Sequence, residues 1–352
     1  MTVGSLKIRD SISFIGGSIF VTISGALVDR YGYKIFLCSG LILLSLCYNL
    51  YASANDLYFI YFIHFIFAVI LGFSGTMTSI VTASNWVKEK RAFAISIVIS
   101  GTSLGGMVFP VLANHFNNTY GWRGAMQLIS MTPILLFLIV FLFIPSKKRK
   151  KNNSKEKQDG LKFTDALKTP TFYKILVSGA LTYYAILSLY SHMFLYMRNL
   201  GYESTSASLG ISTLALGGLA SKLLTGLLSS HTNKYTIFKF QMGLMLLGLI
   251  GFTYFNEFIW IFILITAIGW GGLHTLYNYI LIAQFGLRDA GKINGTVSFA
   301  ESMGGGIGIS LTGYLFDKYG SYDFSFSLIV VMMVVSLIIV IGIKETKPLS
   351  AT

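Results

Sequence analysis

The segment Gly25-Ala-Leu-Val-Asp-Arg-Tyr-Gly-Tyr-Lys34 sits between two apolar runs, one over 11–28 and one over 35–54. Each run is close to the roughly 20 apolar residues that a helix needs to cross a bilayer. The segment itself carries Asp29, Arg30 and Lys34 around Gly32. It therefore reads as a tight polar turn joining two membrane-spanning helices. The same length rule, applied outward, gives further spans near 58–84, 91–113, 125–144, 172–197, 207–229, 237–256, 258–285, 292–315 and 325–343, eleven in all. Connections are short except for Pro145 to Thr171, which contains SKKRKKNNSKEKQ. The expected fold class is an all-α polytopic membrane protein.

Composition excludes the other classes. Of 352 residues, 54% are hydrophobic and 12% charged, with a mean hydropathy of +0.67. A soluble domain carries about 25% charged residues, so a soluble globular enzyme and a disordered chain are both ruled out. The formal net charge of +13 sits in a chain too apolar to present a solvated basic face, which argues against a nucleic-acid partner. Cys38 and Cys47 share one apolar stretch without CxxC spacing, and the five histidines form no HExxH. No GxxxxGK[ST] loop is present to cradle a phosphate. No metal, no cofactor and no enzyme activity are expected.

The cations set an orientation. One side takes 21 of the 27 Lys and Arg, including Arg30, Lys34, the Lys88–Arg91 cluster and ten between Lys147 and Lys174. The other side takes Lys7, Arg9, Arg123, Arg198 and Lys318. The positive-inside bias makes the first side cytoplasmic, with the C-terminus inside and the N-terminus outside, in an integral protein of the cell (plasma) membrane. The basic run could draw anionic lipid headgroups, but a solvated linker that fixes topology is the preferred reading. The expected domains are thus 1–144, a linker over 145–171, and 172–352.

The chain also repeats itself. Gly25 to Lys34 returns in weakened form as Gly226-Leu-Leu-Ser-Ser-His-Thr-Asn-Lys234, 201 residues on. Gly105-Gly106 with Tyr120-Gly121 returns as Gly304-Gly305 with Tyr319-Gly320, at an offset of 199. Two related bundles joined by a basic loop are a transporter architecture of parallel repeats.

Gly25, Leu27, Asp29, Arg30, Gly32 and Lys34 match the G-x-L-x-D-R-x-G-x-K loop of the major facilitator superfamily. The resemblance covers the chain and implies a fold of two six-helix bundles. In the family this loop joins helices two and three of twelve, so the first span corresponds to family helix two. Eleven of twelve helices are then expected, with family helices 2–6 in 1–144 and 7–12 in 172–352. Trp86-Val-Lys-Glu-Lys-Arg91-Ala-Phe-Ala94, Gly101, Gly105-Gly106, Pro110 and Gly121-Trp122-Arg123 resemble, more narrowly, the monocarboxylate transporters and oxalate–formate antiporters. Gly313-Tyr-Leu-Phe-Asp317-Lys-Tyr-Gly320-Ser-Tyr322 is similar to the same group.

These matches suggest roles. Gly25, Asp29, Arg30, Gly32, Lys34 and Arg91 form the candidate gating loop, in which Asp29 latches one conformational state; an ordinary turn with topological cations is the alternative. The glycines of the fourth and tenth spans favour close helix approach. Charges inside a span are expensive and mark function by default. Lys222 lies about 6 Å from the midpoint of its span at 1.5 Å per residue, and Glu301 is at similar depth. Lys222 matches the helix-eight cation of the monocarboxylate-like group, usually arginine, which pairs with the substrate carboxylate. Permanent pairing with Glu301 and snorkelling into lipid are the alternatives. Glu301 suits proton coupling, because a carboxyl group in a low-dielectric cavity resists ionisation; a structural partner for Lys222 is the alternative.

Trp270, His274, Tyr277 and Asn278, at i, i+4, i+7 and i+8, would share a polar-aromatic face lining the cavity. Tyr183 is added from the sixth span. His64 and His192 fall near the outer ends, where an interfacial position is expected. The expected function is secondary transport of a small organic anion, a mono- or dicarboxylate, by alternating access with proton coupling or antiport. The alternatives are an exporter of drugs or sugars and a truncated, non-transporting membrane protein.

Overall fold

The computed structural model describes residues 2–86, 91–144, 160–229 and 232–344. Lys88, Lys90, the SKKRKKNNSKEKQ run and His231 lie outside the described residues, as do the surroundings of Gly25 and the side chains of Asp29 and Arg91. The described residues are almost wholly helical. In order they form α1 (Val3–Tyr31), α2 (Tyr33–Ala52), α3 (Leu57–Ser74), α4 (Thr76–Trp86), α5 (Arg91–Phe143) and a short α6 (Phe163–Ala166). There follow α7 (Pro170–Asn199), α8 (Ser204–Leu228), α9 (Lys234–Tyr254), α10 (Ile259–Gly271), α11 (Leu273–Phe285), α12 (Ala290–Tyr319) and α13 (Asp323–Ile341).

Local chemistry explains the ends. Asp56 caps α3 by accepting the Phe59 N–H, and Thr169 caps α7 ahead of Pro170 in its first turn. Gly32 both ends α1 and opens α2 at φ 89°, a backbone state that a side chain resists. That requirement explains why the turn in Gly25–Lys34 carries a glycine there.

All eleven expected spans have a helical counterpart, with five differences of detail. The first span is longer than hydropathy suggests, because α1 takes Lys7, Arg9 and Asp10 into its first turns. The loop expected over 114–124 is helix up to Tyr120; α5 then bends at Gly121 (φ 70°) and continues as a second arm. The third span divides at Gly75 into α3 and α4, and the ninth divides at Gly272 into α10 and α11. The tenth extends to Tyr319. Among the described residues, eight stretches are long and apolar enough to cross a membrane by length and composition. α1 and α12, diluted by Gly, Ser and charged residues, match the others in length.

The elements group into two halves, α1–α5 and α7–α13. Within the second, α7 packs on α12 and α13, and α10 packs on α8 and α9. Phe172, Phe238, Met242, Tyr277 and Phe326 lie in its continuous buried core. The first half has a smaller core around Cys47, Ile60 and Ile63, beside an apolar cavity of about 920 Å³ bordered by Leu37, Leu44, Phe67 and Val140. Residues 160–171 dock on the second half: the Leu161 N–H donates to the Phe285 carbonyl at 2.8 Å and the Phe163 N–H to Asp289 at 2.8 Å.

The halves meet along α1–α12 and α5–α8. Glycine permits this, as expected where no solvent drives helices together. Within the second half a Cβ on Gly304 would strike the Ala180 carbonyl of α7, and across the seam one on Gly306 would come within 2.6 Å of Ile15 on α1. On α5 the close approach is carried by Gly106, where a Cβ would come within 3.1 Å of Ala215 on α8; Gly101 and Gly105 meet no neighbouring helix. At the N-terminal end of α1 the seam is also polar. Asp317 of α12 accepts the Val3 and Gly4 N–H groups at 2.9 and 2.7 Å, and Ser11 contacts Ser310 at 2.7 Å.

Candidate functional site

Between the halves lies a cavity of about 530 Å³, walled by α1, α3, α5, α7, α8, α10 and α12. Lys222 reaches it because of the small residues around it on α8. Gly217 and Gly218 press against Ala267, Trp270 and Gly271 of α10, and Ser221 donates to the Ile268 carbonyl at 2.6 Å. With that face occupied, the next residue turns toward α5. There the Lys222 ammonium donates to Ser103 at 2.8 Å, half-buried, in the cavity wall. It makes no ion pair with Glu301, and among the described residues Glu301 has none at all.

The other expected residues divide into two groups. Trp270 lines the cavity and meets Tyr183 edge-on at 5.3 Å. The Tyr183 hydroxyl contacts His274 Nδ1 at 2.8 Å, and Asn278 donates to the His274 carbonyl at 2.8 Å. Lys222, Trp270, Tyr183, His274 and Asn278 are thus brought into one neighbourhood. Tyr277 is not: it is 1% exposed, packed on Phe238 and bonded to Thr182 inside the second half. The break at Gly272 shifts the phase of the expected stripe, so Tyr277 turns inward while His274 stays exposed. Glu301 is 4% exposed, packed so that a Cβ on Gly179 of α7 would come within 3.3 Å of its carboxyl oxygen, and within electrostatic reach of Tyr183 and Tyr277.

The gating loop is partly described. Lys34 donates to the Phe141 carbonyl at 2.8 Å, tying the turn to the second arm of α5, and Arg30 is exposed over the Tyr31 ring.

Sequence reasoning missed the wall facing Lys222. Asp10 and Ser13 of α1, His64 of α3, and Tyr190 and Ser191 of α7 line the same cavity. Asp10 accepts from Ser191 at 3.1 Å, from Lys7 at 3.5 Å and from Arg9 at 3.3 Å. Lys7 also donates to Ser191 Oγ at 2.9 Å, and Arg9 donates to the Tyr51 hydroxyl. Ser13 contacts His64 Nδ1 at 2.8 Å. His64 and His192 therefore lie inside the protein and not on its surface. Both are buried, and His192 is a packing residue bonded to the Ile309 carbonyl and Tyr322. The available signal was Asp10 and Ser13 at i and i+3, a polar edge that a lipid-facing helix would not carry.

Two helical halves of membrane-length helices around a central cavity, largely apolar but carrying Asp10 and Lys222 in its wall, fit a small-molecule transporter. The model of the Major Facilitator Superfamily matches residues 1–308. The chain belongs to that superfamily, whose members are transporters and not enzymes. An agnestins efflux protein of Paecilomyces divaricatus is 24% identical over 97% of this chain and 80% of its own length. A hexuronate transporter of Bacillus subtilis is 24% identical over 89% of this chain and 79% of its own. Monocarboxylate transporter 13 of Bos taurus is 26% identical over 69% of this chain and 58% of its own.

Proposed function

We propose that the chain carries a small organic anion across the cell membrane by alternating access, driven by a proton gradient or by exchange against a second anion. The observation that carries this reading is Lys222, a cation held in the wall of the cavity between the halves with no carboxylate partner among the described residues. A substrate carboxylate would supply the missing counter-charge. Trp270, Tyr183, His274 and Asn278 shape the pocket beside it, and Tyr277 supports that wall from behind. Glu301, buried and without an ion pair among the described residues, carries the coupling proton.

In this reading the halves rock about the α1–α12 and α5–α8 seams. The Gly25–Lys34 turn with Arg91 latches the side that carries most of the cations, which is the cytoplasmic side and holds the C-terminus. The run over 145–171 is the basic linker between the bundles. Names of relatives support a carboxylate cargo: hexuronate and monocarboxylate are both organic anions. A second reading, export of a bulky apolar molecule, is favoured by the apolar cavity of about 920 Å³ and by the agnestins efflux relative.

Uptake of labelled carboxylates into reconstituted vesicles, with and without an inward proton gradient, tests the proposal. Saturable uptake stimulated by the gradient or by an internal anion supports it. Transport of neutral apolar compounds alone, with no carboxylate carried, overturns it in favour of the export reading.

A further inference from the structure

The internal repeat matches the two halves element by element. The Gly25–Lys34 turn and its copy at Gly226–Lys234 pair α1 with α8 and α2 with α9. Gly105 and Gly121, with their copies Gly304 and Gly320, pair the two arms of α5 with α12 and α13. Between these, α3 and α4 part at Gly75 as α10 and α11 part at Gly272. The seam obeys the same pairing, since α1 meets α12 and α8 meets α5. Among the described residues α7 is left without a counterpart in the first half.

α7 sits in a socket made by four elements. Thr182 contacts Ser336 of α13 at 2.8 Å, Tyr277 of α11 at 3.1 Å and Met242 of α9 at 3.8 Å. Its Ala180 carbonyl fits against Gly304 of α12, where no Cβ could stand. The counterparts of these four are α2, α4 and the two arms of α5. All of them border the apolar cavity of about 920 Å³ in the first half, through Leu37, Thr82, Val98 and Val140 in turn. Along α2 that cavity runs from Leu37 to Tyr51, about 21 Å at 1.5 Å per residue. Gly105, the copy of Gly304, meets no neighbouring helix. The second arm of α5 exposes Ile134, Leu135 and Leu136 in succession, whereas α13 buries Phe326, Ile329 and Met333.

Lipid tails need neither a glycine nor a repeated socket. Close backbone approach over small residues is how helices associate in a bilayer. The stretches outside the described residues, 87–90, 145–159, 230–231 and 345–352, contain no run near the roughly 20 apolar residues of a spanning helix. We propose that the first-half socket seats one further membrane-spanning helix, contributed by polypeptide outside these 352 residues, with small residues facing Gly105 as Ala180 faces Gly304. Ser13 and His64 border both this cavity and the central one. The added helix therefore walls the first-half side of the central cavity, as α7 walls the other side through Leu187, Tyr190 and Ser191.

The test adds synthetic helices to the full chain in lipid vesicles. One peptide has the α7 sequence, Pro170–Asn199, with a photoreactive group; the other is a lysine-flanked polyleucine helix of equal length. The α7 peptide is expected to be captured saturably, one per chain, about ten-fold more tightly than polyleucine. Its cross-links should fall on α2, α4 and both arms of α5. Gly105→Leu and Leu136→Trp change positions open enough to leave the fold intact, and each is expected to weaken capture about ten-fold by overfilling the seat. Equal capture of polyleucine overturns the proposal, as does capture unmoved by both substitutions. Cross-links on α9 and α13, where the peptide would be replacing α7 itself, also overturn it. Uptake is not measured, so each of these failures leaves the organic-anion reading standing.

Discussion

The seam at the N-terminal end of α1 offers a direct handle on alternating access. The first turn of any helix has N–H groups without intrahelical partners and a partial positive charge. In α1 two of these groups, on Val3 and Gly4, donate at 2.9 and 2.7 Å to the carboxylate of Asp317, which belongs to the opposite half. Asp317→Ala removes both bonds at once. A hydrogen bond to a charged acceptor contributes about 1.5–3 kcal/mol. Asp317 is exposed and water can replace it, so about 1 kcal/mol each is a reasonable share. A total of about 2 kcal/mol shifts the ratio of separated to closed forms roughly 30-fold.

Spin labels at Tyr58 on the first half and Phe324 on the second, both exposed, would read that ratio by pulsed electron resonance after Cys38 and Cys47 are replaced by Ser. The long-distance population should grow in Asp317→Ala and stay at its original level in Lys318→Ala. An unchanged distribution in Asp317→Ala would refute the view that this contact biases the seam.

Two further outcomes follow from packing and hydrogen bonding. Gly304→Leu drives a side chain into the Ala180 carbonyl at the α7–α12 contact and should cost on the order of 2 kcal/mol; a thermal melt in detergent should fall by several degrees, while Gly101→Leu, facing open space, should not lower it. Tyr183→Phe deletes the 2.8 Å contact with His274 but keeps the ring against Trp270. It should weaken anion uptake about five-fold, corresponding to about 1 kcal/mol, and unchanged uptake would remove the Tyr183–His274 pair from the site.

The fold was legible where hydropathy and turn chemistry agree. α2 and α9 follow their apolar runs, and Gly32 marks its turn because φ 89° selects glycine. Legibility failed where polar residues continue a helix. Asn114 to Tyr120 look like a loop, yet the backbone stays helical until Gly121, where the positive φ lets it bend. Likewise Lys7, Arg9 and Asp10 look like a solvated flank, but both cations pair with Asp10, and Ser191 bonds to Asp10 and Lys7, which lets α1 carry them into the seam. In the site, Lys222 could be found from one segment, because a charge inside a span is costly wherever it lies. Its opposite wall could not. Asp10, Ser13 and His64 come together with Ser191 only through contacts 51 and 181 residues apart in the chain. Tyr277 shows the converse: its spacing placed it on the Trp270 face, and a single break at Gly272 turned it into the core.

The central claim is that the Lys222 ammonium binds the substrate carboxylate, and uptake by Lys222→Ala and Lys222→Arg beside the wild type tests it most directly. Removing one partner of a buried, hydrogen-bonded charge pair costs about 3 kcal/mol, roughly a 100-fold loss in uptake efficiency. The alanine form should therefore lose about that much, and the arginine form should retain a substantial part, since it keeps the charge while altering its geometry. Undiminished uptake by the alanine form would contradict the account.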